Sequence, residues 1–243
     1  MKTRIVIISF IAFAFIFTSC KKDKIQIIPS GKITSVEKTG VVHNKLDVSS
    51  AFQVFLTFSE TEESIIVEAN ENLHSYVQVQ DKDGWLKIYL KDFVNISSKN
   101  RVLNIYITTK NINEYQIAGG ASVTLENQLH AVDVNIELMG AGSFMGSVYA
   151  NNLYSTLLGG SIMDVSGSAN LLDVKADGGG VFKNYGMEVA QLDADLNGGA
   201  KVYLSVTESL KVKASGGSHV FYKGNGIIES QVLEGGSTIT KMD

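Results

Sequence analysis

Asp173 and Asp193 stand at matching places in two successive copies of a sequence repeat, the best-placed carboxylate pair in the chain. If the copies stack, the two acids lie side by side, where they could hold Ca²⁺ or share acid/base work. Lys211 occupies the same place in the next copy and favours a solvated face of mixed charge over a metal site. Asp164 follows Gly159-Gly160 as in the calcium-binding pattern Gly-Gly-x-Gly-x-Asp, but Ile162 replaces the third glycine and no neighbouring copy repeats the aspartate. His43, His74, His130 and His219 are scattered without metal-ligand spacing. A phosphate cradle at Gly178-Gly179-Gly180 would need a following helix and a Lys-Ser/Thr, and a Gly-x-Ser-x-Gly elbow is missing. The residues thus form no catalytic constellation; the expectation is a non-enzymatic protein without a cofactor.

Aromatic residues point instead to binding. Met145, Tyr203 and Phe221 fall in a column expected to face outward with Thr124, Asp164, Lys183 and Thr240, and Tyr203 and Phe221 belong to adjacent copies. Exposed aromatic steps can stack on sugar rings or anchor a protein. The alternative is that this strand packs under a loop, the N-terminal sheet or a second subunit.

The elements that position these residues are set by a glycine repeat. Small-residue corners recur at Gly119-Gly120, Gly140-Ala141-Gly142, Gly159-Gly160, Gly178-Gly179, Gly198-Gly199, Gly216-Gly217 and Gly235-Gly236, spaced by 21, 19, 19, 20, 18 and 19 residues. A period of this length marks a solenoid, in which each repeat buries its apolar side by stacking on its neighbours. Aligned on the corners, Ile117, Leu138, Leu157, Ala176, Leu196, Ala214 and Leu233 form one apolar column, and Val123, Phe144, Met163, Phe182, Val202, Val220 and Ile239 form another. Polar residues alternate with the first, among them Lys175, Asp195 and Lys213, a ladder of alternating charge. Period two with one wet face predicts strands on both sides of each corner. Glycine suits such corners because stacked turns need positive φ and leave no room for a Cβ.

The N-terminus reads as an export signal over residues 1–19: Lys2 and Arg4 precede an uncharged apolar run from Ile5 to Phe17, too short to span a bilayer comfortably. Phe17-Thr18-Ser19-Cys20 follows and is similar to a bacterial lipoprotein signal, with Phe17 in place of the usual leucine. Cys20 is the only cysteine, so it has no disulfide partner, and attachment of a lipid accounts for it. From Cys20 onward 19 basic residues face 25 acidic ones, a net charge of −6, and Arg101 is the one arginine left. Nothing forms a basic stripe, so nucleic acid is excluded as a partner. Residues 20–31 read as a tether ending in Pro29-Ser30-Gly31.

Residues 32–118 read as a β region. Phe52–Phe58 and Ser64–Ala69 are strands around the acidic turn Glu60–Glu63, and Tyr76–Gln80 and Trp85–Leu90 form a hairpin about Asp83-Gly84. Leu103–Thr108 is a further strand, and Asn70–Ser75 has room for a helical turn. Residues 119–243 carry the repeats, continuous with the preceding part. The last repeat, from Ser230 to Asp243, has no capping helix, which leads to the expectation that the N-terminal sheet covers that end or that two chains meet there.

Together, the lipoprotein signal, Leu46-Asp47-Val48-Ser49 with Val54-Phe55-Leu56, the stretch Ile65–Leu73, Asp83-Gly84-Trp85-Leu86-Lys87-Ile88 and the glycine repeats resemble the auto-transporter adhesin, head GIN domain family over about residues 42–238. The resemblance implies a right-handed β-helix with glycine corners between two sheets, similar in shape to pectin lyases and hexapeptide acyltransferases but without their catalytic residues, and a role in cell adhesion. The expectation is therefore an all-β lipoprotein held to the outer membrane of the cell envelope through Cys20, acting as an adhesin-like binding or scaffold module. Its expected partners are that membrane, a host or envelope glycan or protein, and a second copy of itself. The alternative is a polysaccharide-binding or degraded lyase-like β-helix.

Overall fold

The computed structural model describes residues 25–38 and 44–243. Cys20 and His43 lie outside the described residues. The N-terminal strands are β1 (Ile25–Ile27), β2 (Ile33–Glu37), β3 (Lys45–Val48), β4 (Gln53–Phe58), β5 (Ser64–Asn70), β6 (Val77–Lys82), β7 (Trp85–Leu90), β8 (Val94–Ile96) and β9 (Leu103–Thr109), with one 3-10 turn at Glu71–Leu73. The repeats supply β10 (Glu114–Ile117), β11 (Ser122–Leu125), β12 (Leu129–Leu138), β13 (Ser143–Gly159), β14 (Ile162–Gly178), β15 (Val181–Lys183), β16 (Met187–Asn197), β17 (Lys201–Ala214), β18 (His219–Lys223), β19 (Ile227–Leu233) and β20 (Thr238–Lys241). The described chain is all-β, with the repeats wound as a β-solenoid.

Strands of successive repeats pair in parallel, and the register follows the columns read from the sequence. Ile117, Leu138, Leu157, Ala176, Leu196, Ala214 and Leu233 are consecutive partners in one ladder. Val123, Phe144, Met163, Phe182, Val202, Val220 and Ile239 are consecutive partners in the other. All members of both columns except the last are buried, forming one core along the stack. The 17-residue strands β13 and β14 run nearly from one glycine corner to the next. In β13 the inward side chains are Phe144, Val148, Ala150, Leu153, Ser155 and Leu157, and the break in alternation between Ala150 and Leu153 marks a bend beyond the single corner per repeat that the sequence predicted.

The first glycine of every corner has φ between 60° and 85°. At Gly198, with φ of 74°, an added Cβ would sit 3.0 Å from the backbone nitrogen of Gly178 one coil below. The corner is thus closed to other residues by conformation and by stacking together. The second positions divide: Gly199, Gly217 and Gly236 also take positive φ, whereas Gly120, Ala141, Gly160 and Gly179 do not.

The parallel ladder runs back across residue 119 without a break. Leu46 pairs with Tyr115 and Val54 with Val123, so β3 and β4 form a coil beneath the first glycine corner. Its corner holds Ser50 at φ of 74° in the place of glycine. β7 and β9 extend the two ladders in parallel by one more level, and there the direction changes: β6 pairs antiparallel with β7, and β5 antiparallel with β9 and β2. The β6–β7 hairpin turns at Asp83 and Gly84, both with positive φ, as read from the sequence. Between β4 and the returning β5, however, lies β9.

Part of the expected tether is docked. β1 pairs with β8, Ser30 N–H donates to Asn72 Oδ1 at 2.9 Å, and Asn72 Nδ2 donates to the Ile28 carbonyl at 2.9 Å. The N-terminal strands thus close the first end of the stack. The expectation that they cover the C-terminal end does not hold: among the described residues β19 pairs only with β17 and β20 only with β18. The chain's order of coils decides this, since β3 stacks on the first repeat, and β1 and β2 pair with β8 and β5 beyond that level.

Candidate functional site

One outward column crosses the whole stack: Tyr106, Phe55, Thr124, Met145, Asp164, Lys183, Tyr203, Phe221 and Thr240. Tyr203 and Phe221 stack with ring centroids 4.8 Å apart and planes 10° from parallel, the separation expected of adjacent strands. Such a pair covers most of one face of each ring. Met145 lies three coils from Tyr203 beside Asp164 and does not join the pair. It is one of the larger exposed apolar side chains of the face.

A local insertion builds the rest of the site. Asp164 pairs with Lys183, nineteen residues on, but Gly167 pairs with Met187, twenty residues on. The extra residue is absorbed in the bend 184–186, where Asn184 has φ of 134° and its Oδ1 accepts the Gly186 N–H at 2.8 Å. The bend brings Tyr185 against Tyr203, edge to face at 6.0 Å. Ser205 Oγ donates to the Tyr185 carbonyl at 2.8 Å, and Lys223 Nζ sits 5.3 Å from the Tyr185 ring centroid. Partial burial, then the neighbouring Tyr203, raise the Tyr185 phenol above its ordinary pKa.

Asp164, Lys183, Asn184, Tyr185, Lys201 and Tyr203 line an open groove of about 540 Å³. Asp164 is held by Lys183 at 3.1 Å and by an Asn184 Nδ2 donor at 3.2 Å. This occupancy explains why the carboxylate that resembled a calcium ligand is not free to act as one. Lys183, Lys201 and Lys223 against Asp164 leave the groove and its rim net positive, in a chain whose formal net charge is −4. The groove therefore joins an aromatic wall, an amide and spare ammonium groups, which suits a ligand with an apolar face, hydroxyls and a negative charge.

Tyr185, Asn184 and Lys201 were missed by reading columns alone, because two of them lie in the insertion. The twenty-residue spacing from Gly178 to Gly198 was the available signal, marking one extra residue between those corners. A second stacked pair, Phe55 and Tyr106 at 5.2 Å and 17°, begins the same column and borders a hollow of about 430 Å³. Tyr106 OH donates to Glu68 Oε2 at 3.2 Å. Burial, then the Glu68 hydrogen bond and charge, raise its pKa. Glu126 lines that hollow, which has an acid where the first groove has lysines.

The remaining candidates are accounted for by neighbours. Asp173 and Asp193 are ladder partners, as expected, and Lys211 stands opposite Asp193 in the next coil. Lys175 approaches Asp173 at 4.0 Å and Lys213 approaches Asp195 at 3.5 Å. Exposed pairs of this kind contribute only about 0–1 kcal/mol each, so they tune register more than stability. Among the described residues no group of three or more His, Cys, Asp or Glu side chains is placed to hold a metal. His130 stacks on Tyr149 at 4.9 Å, and His219 hydrogen-bonds Thr238. His74 Nε2 lies 3.0 Å from both the hydroxyl and carbonyl oxygens of Thr34.

By class the protein is a β-solenoid whose groove and stacked rings lie on an outer strand face. The chain belongs to the family described as "Putative auto-transporter adhesin, head GIN domain", whose model matches residues 43–226. Among solved structures it is similar to a "putative adhesin" from Bacteroides fragilis NCTC 9343, 21% identical, with a TM-score of 0.78 over 89% of this chain and 100% of that one. It is also similar to a "putative lipid binding protein" from Parabacteroides distasonis ATCC 8503, 18% identical, with a TM-score of 0.74 over 90% of this chain and 100% of that one. A "putative adhesin" from Parabacteroides merdae ATCC 43184 is 18% identical, with a TM-score of 0.68 over 90% and 99%. These likenesses show the fold. No curated protein matches the chain.

Proposed function

We propose that this protein is a non-enzymatic, adhesin-type module of the cell envelope, held by a lipid on Cys20, whose outer face binds acidic carbohydrate through the Tyr185–Tyr203 groove, with Phe221 stacked on Tyr203. The observation that carries the ligand class is the local reversal of charge beside half-buried aromatic rings. A sugar ring offers C–H groups to Tyr203 and hydroxyls to Asn184 and Asp164, while a carboxylate on the sugar meets Lys183, Lys201 or Lys223. Family membership supports the adhesin reading and the envelope location. The pairing of Asp164 and Asp195 with lysines speaks against an acid/base role for those carboxylates.

Isothermal titration with oligogalacturonates and with neutral cello-oligosaccharides tests the ligand class. The acidic series is expected to bind at least about tenfold more tightly, with affinity falling as salt rises. Tyr203→Ala with Lys201→Ala is expected to abolish that binding. Equal affinity for both series, or binding unchanged in the double variant, would overturn the assignment.

A further inference from the structure

The C-terminal end of the stack is where core residues lie uncovered. In the first apolar column every residue from Ile117 to Ala214 is at most 3% exposed, yet Leu233, next in line, is 37% exposed. Ile228 is 40% exposed where its ladder partner Leu210 is fully buried. Among the described residues, five of the sixteen exposed large apolar side chains, Ile227, Ile228, Val232, Leu233 and Met242, fall in residues 227–243. Every residue of β19 is exposed. Protective devices are few on these edges: Glu229, held by Lys211 at 3.6 Å, is the one charged residue of β19, Lys241 the one of β20, and neither contains proline.

We propose that this end binds the same end of a second copy of this chain. An occupant must offer two strand edges about 10 Å apart with an apolar interior between them, and the chain's own last coil is such a surface. A half-turn about an axis normal to both sheets lays β19 along β19 and β20 along β20 of the second copy. That gives antiparallel pairing, which extends both sheets and covers Ile228, Leu233 and Ile239 on each side. The opposite end cannot serve, because β5, β6 and β2 have already changed strand direction and closed the core there. The self-pairing is closed, so it makes dimers and no fibres.

The face measures roughly 23 Å along β19 and about 20 Å across the two sheets with their side chains, on the order of 450 Å² per copy. That falls short of the roughly 800 Å² per partner of a standard interface, so the dimer is weak and forms where chains are crowded. β1 and β2 lie at the far end of each stack, so the β1 strands of a pair sit at its opposite extremes. The proposal stands independently of the carbohydrate groove.

Sedimentation equilibrium on the exported protein carrying Cys20→Ser, from low micromolar to near-millimolar, tests it. A monomer–dimer equilibrium is expected, with Val232→Lys and Ile227→Lys raising the dissociation constant at least about tenfold. Both side chains are exposed, so circular dichroism of the variants should match the parent. In the same background, Ser230→Cys on β19 is expected to give dimers with a short bis-maleimide, and Gln80→Cys on β6 is not. A monomer at every concentration, a dimer indifferent to both lysines, or equal cross-linking at Gln80→Cys would overturn the proposal.

Discussion

At the N-terminal end of the stack Leu86, Ile88, Ile105 and Ile107 are at most 1% exposed, whereas at the C-terminal end Ile228 and Leu233 are 40% and 37% exposed. The two ends began with the same difficulty, since a coil buries its inward side chains only against the coils on either side. The N-terminal end resolves it with residues the repeat does not contain. β5 arrives antiparallel with Ile65 and Val67 facing in, and the 3-10 turn adds Leu73, all at most 1% exposed. Closure thus required a change of strand direction and some fifty further residues of non-repeating sequence. The repeat itself, run to its last coil, leaves an open core.

The largest effect that sharpens this contrast comes from one substitution made at two levels of one column. Leu157→Ala removes a fully buried side chain between coils and is expected to cost about 2–5 kcal/mol. Leu233→Ala removes a half-exposed one and is expected to cost less than about 1 kcal/mol in the monomer. Urea denaturation at low protein concentration measures both. Similar losses at the two positions would mean that the last coil is already covered in the isolated chain.

A smaller effect separates the corners. Gly198→Ala places a Cβ 3.0 Å from the Gly178 backbone at φ of 74°, whereas Gly236→Ala, at φ of 83°, has nothing within 4 Å. The first is expected to cost about 2–3 kcal/mol and the second about 1 kcal/mol, since both bear the left-handed backbone and only the first bears the clash. The difference in denaturation midpoints reports what stacking alone adds. Equal midpoints would leave conformation as the whole reason for glycine there.

Much of the stack was legible because its rule is local and repeated. Register, both apolar columns and the Lys175–Asp195–Lys213 ladder follow once the glycines are aligned. The closed end was not legible, because its partners are set by direction and not by period: β4 and β5 look like neighbours in sequence, yet β9 lies between them. The groove was half legible. Tyr203 and Phe221 obey the repeat, while Tyr185 reaches them only through the one-residue insertion at 184–186, whose geometry no column predicts. The coil of β3 and β4 escaped notice for a simpler reason: its corner residue is Ser50.

Ser50 offers the finest test, because it stands at the closed end in a conformation the other corners give to glycine. Its φ of 74° matches the 79° of Gly119 one coil above, where an added Cβ would come within 3.2 Å of the Ser50 backbone. A side chain in the left-handed region costs about 1–2 kcal/mol, and glycine would release that strain. Glycine also gives the unfolded chain more freedom, which offsets roughly 0.5–1 kcal/mol of the gain. Ser50→Gly is therefore expected to stabilise the protein by about 0.5–1 kcal/mol, visible as a small rise in denaturation midpoint with an unchanged slope. A clear loss instead would show that the closing strands have adapted to the serine, making this coil part of the cap and no longer an ordinary member of the stack.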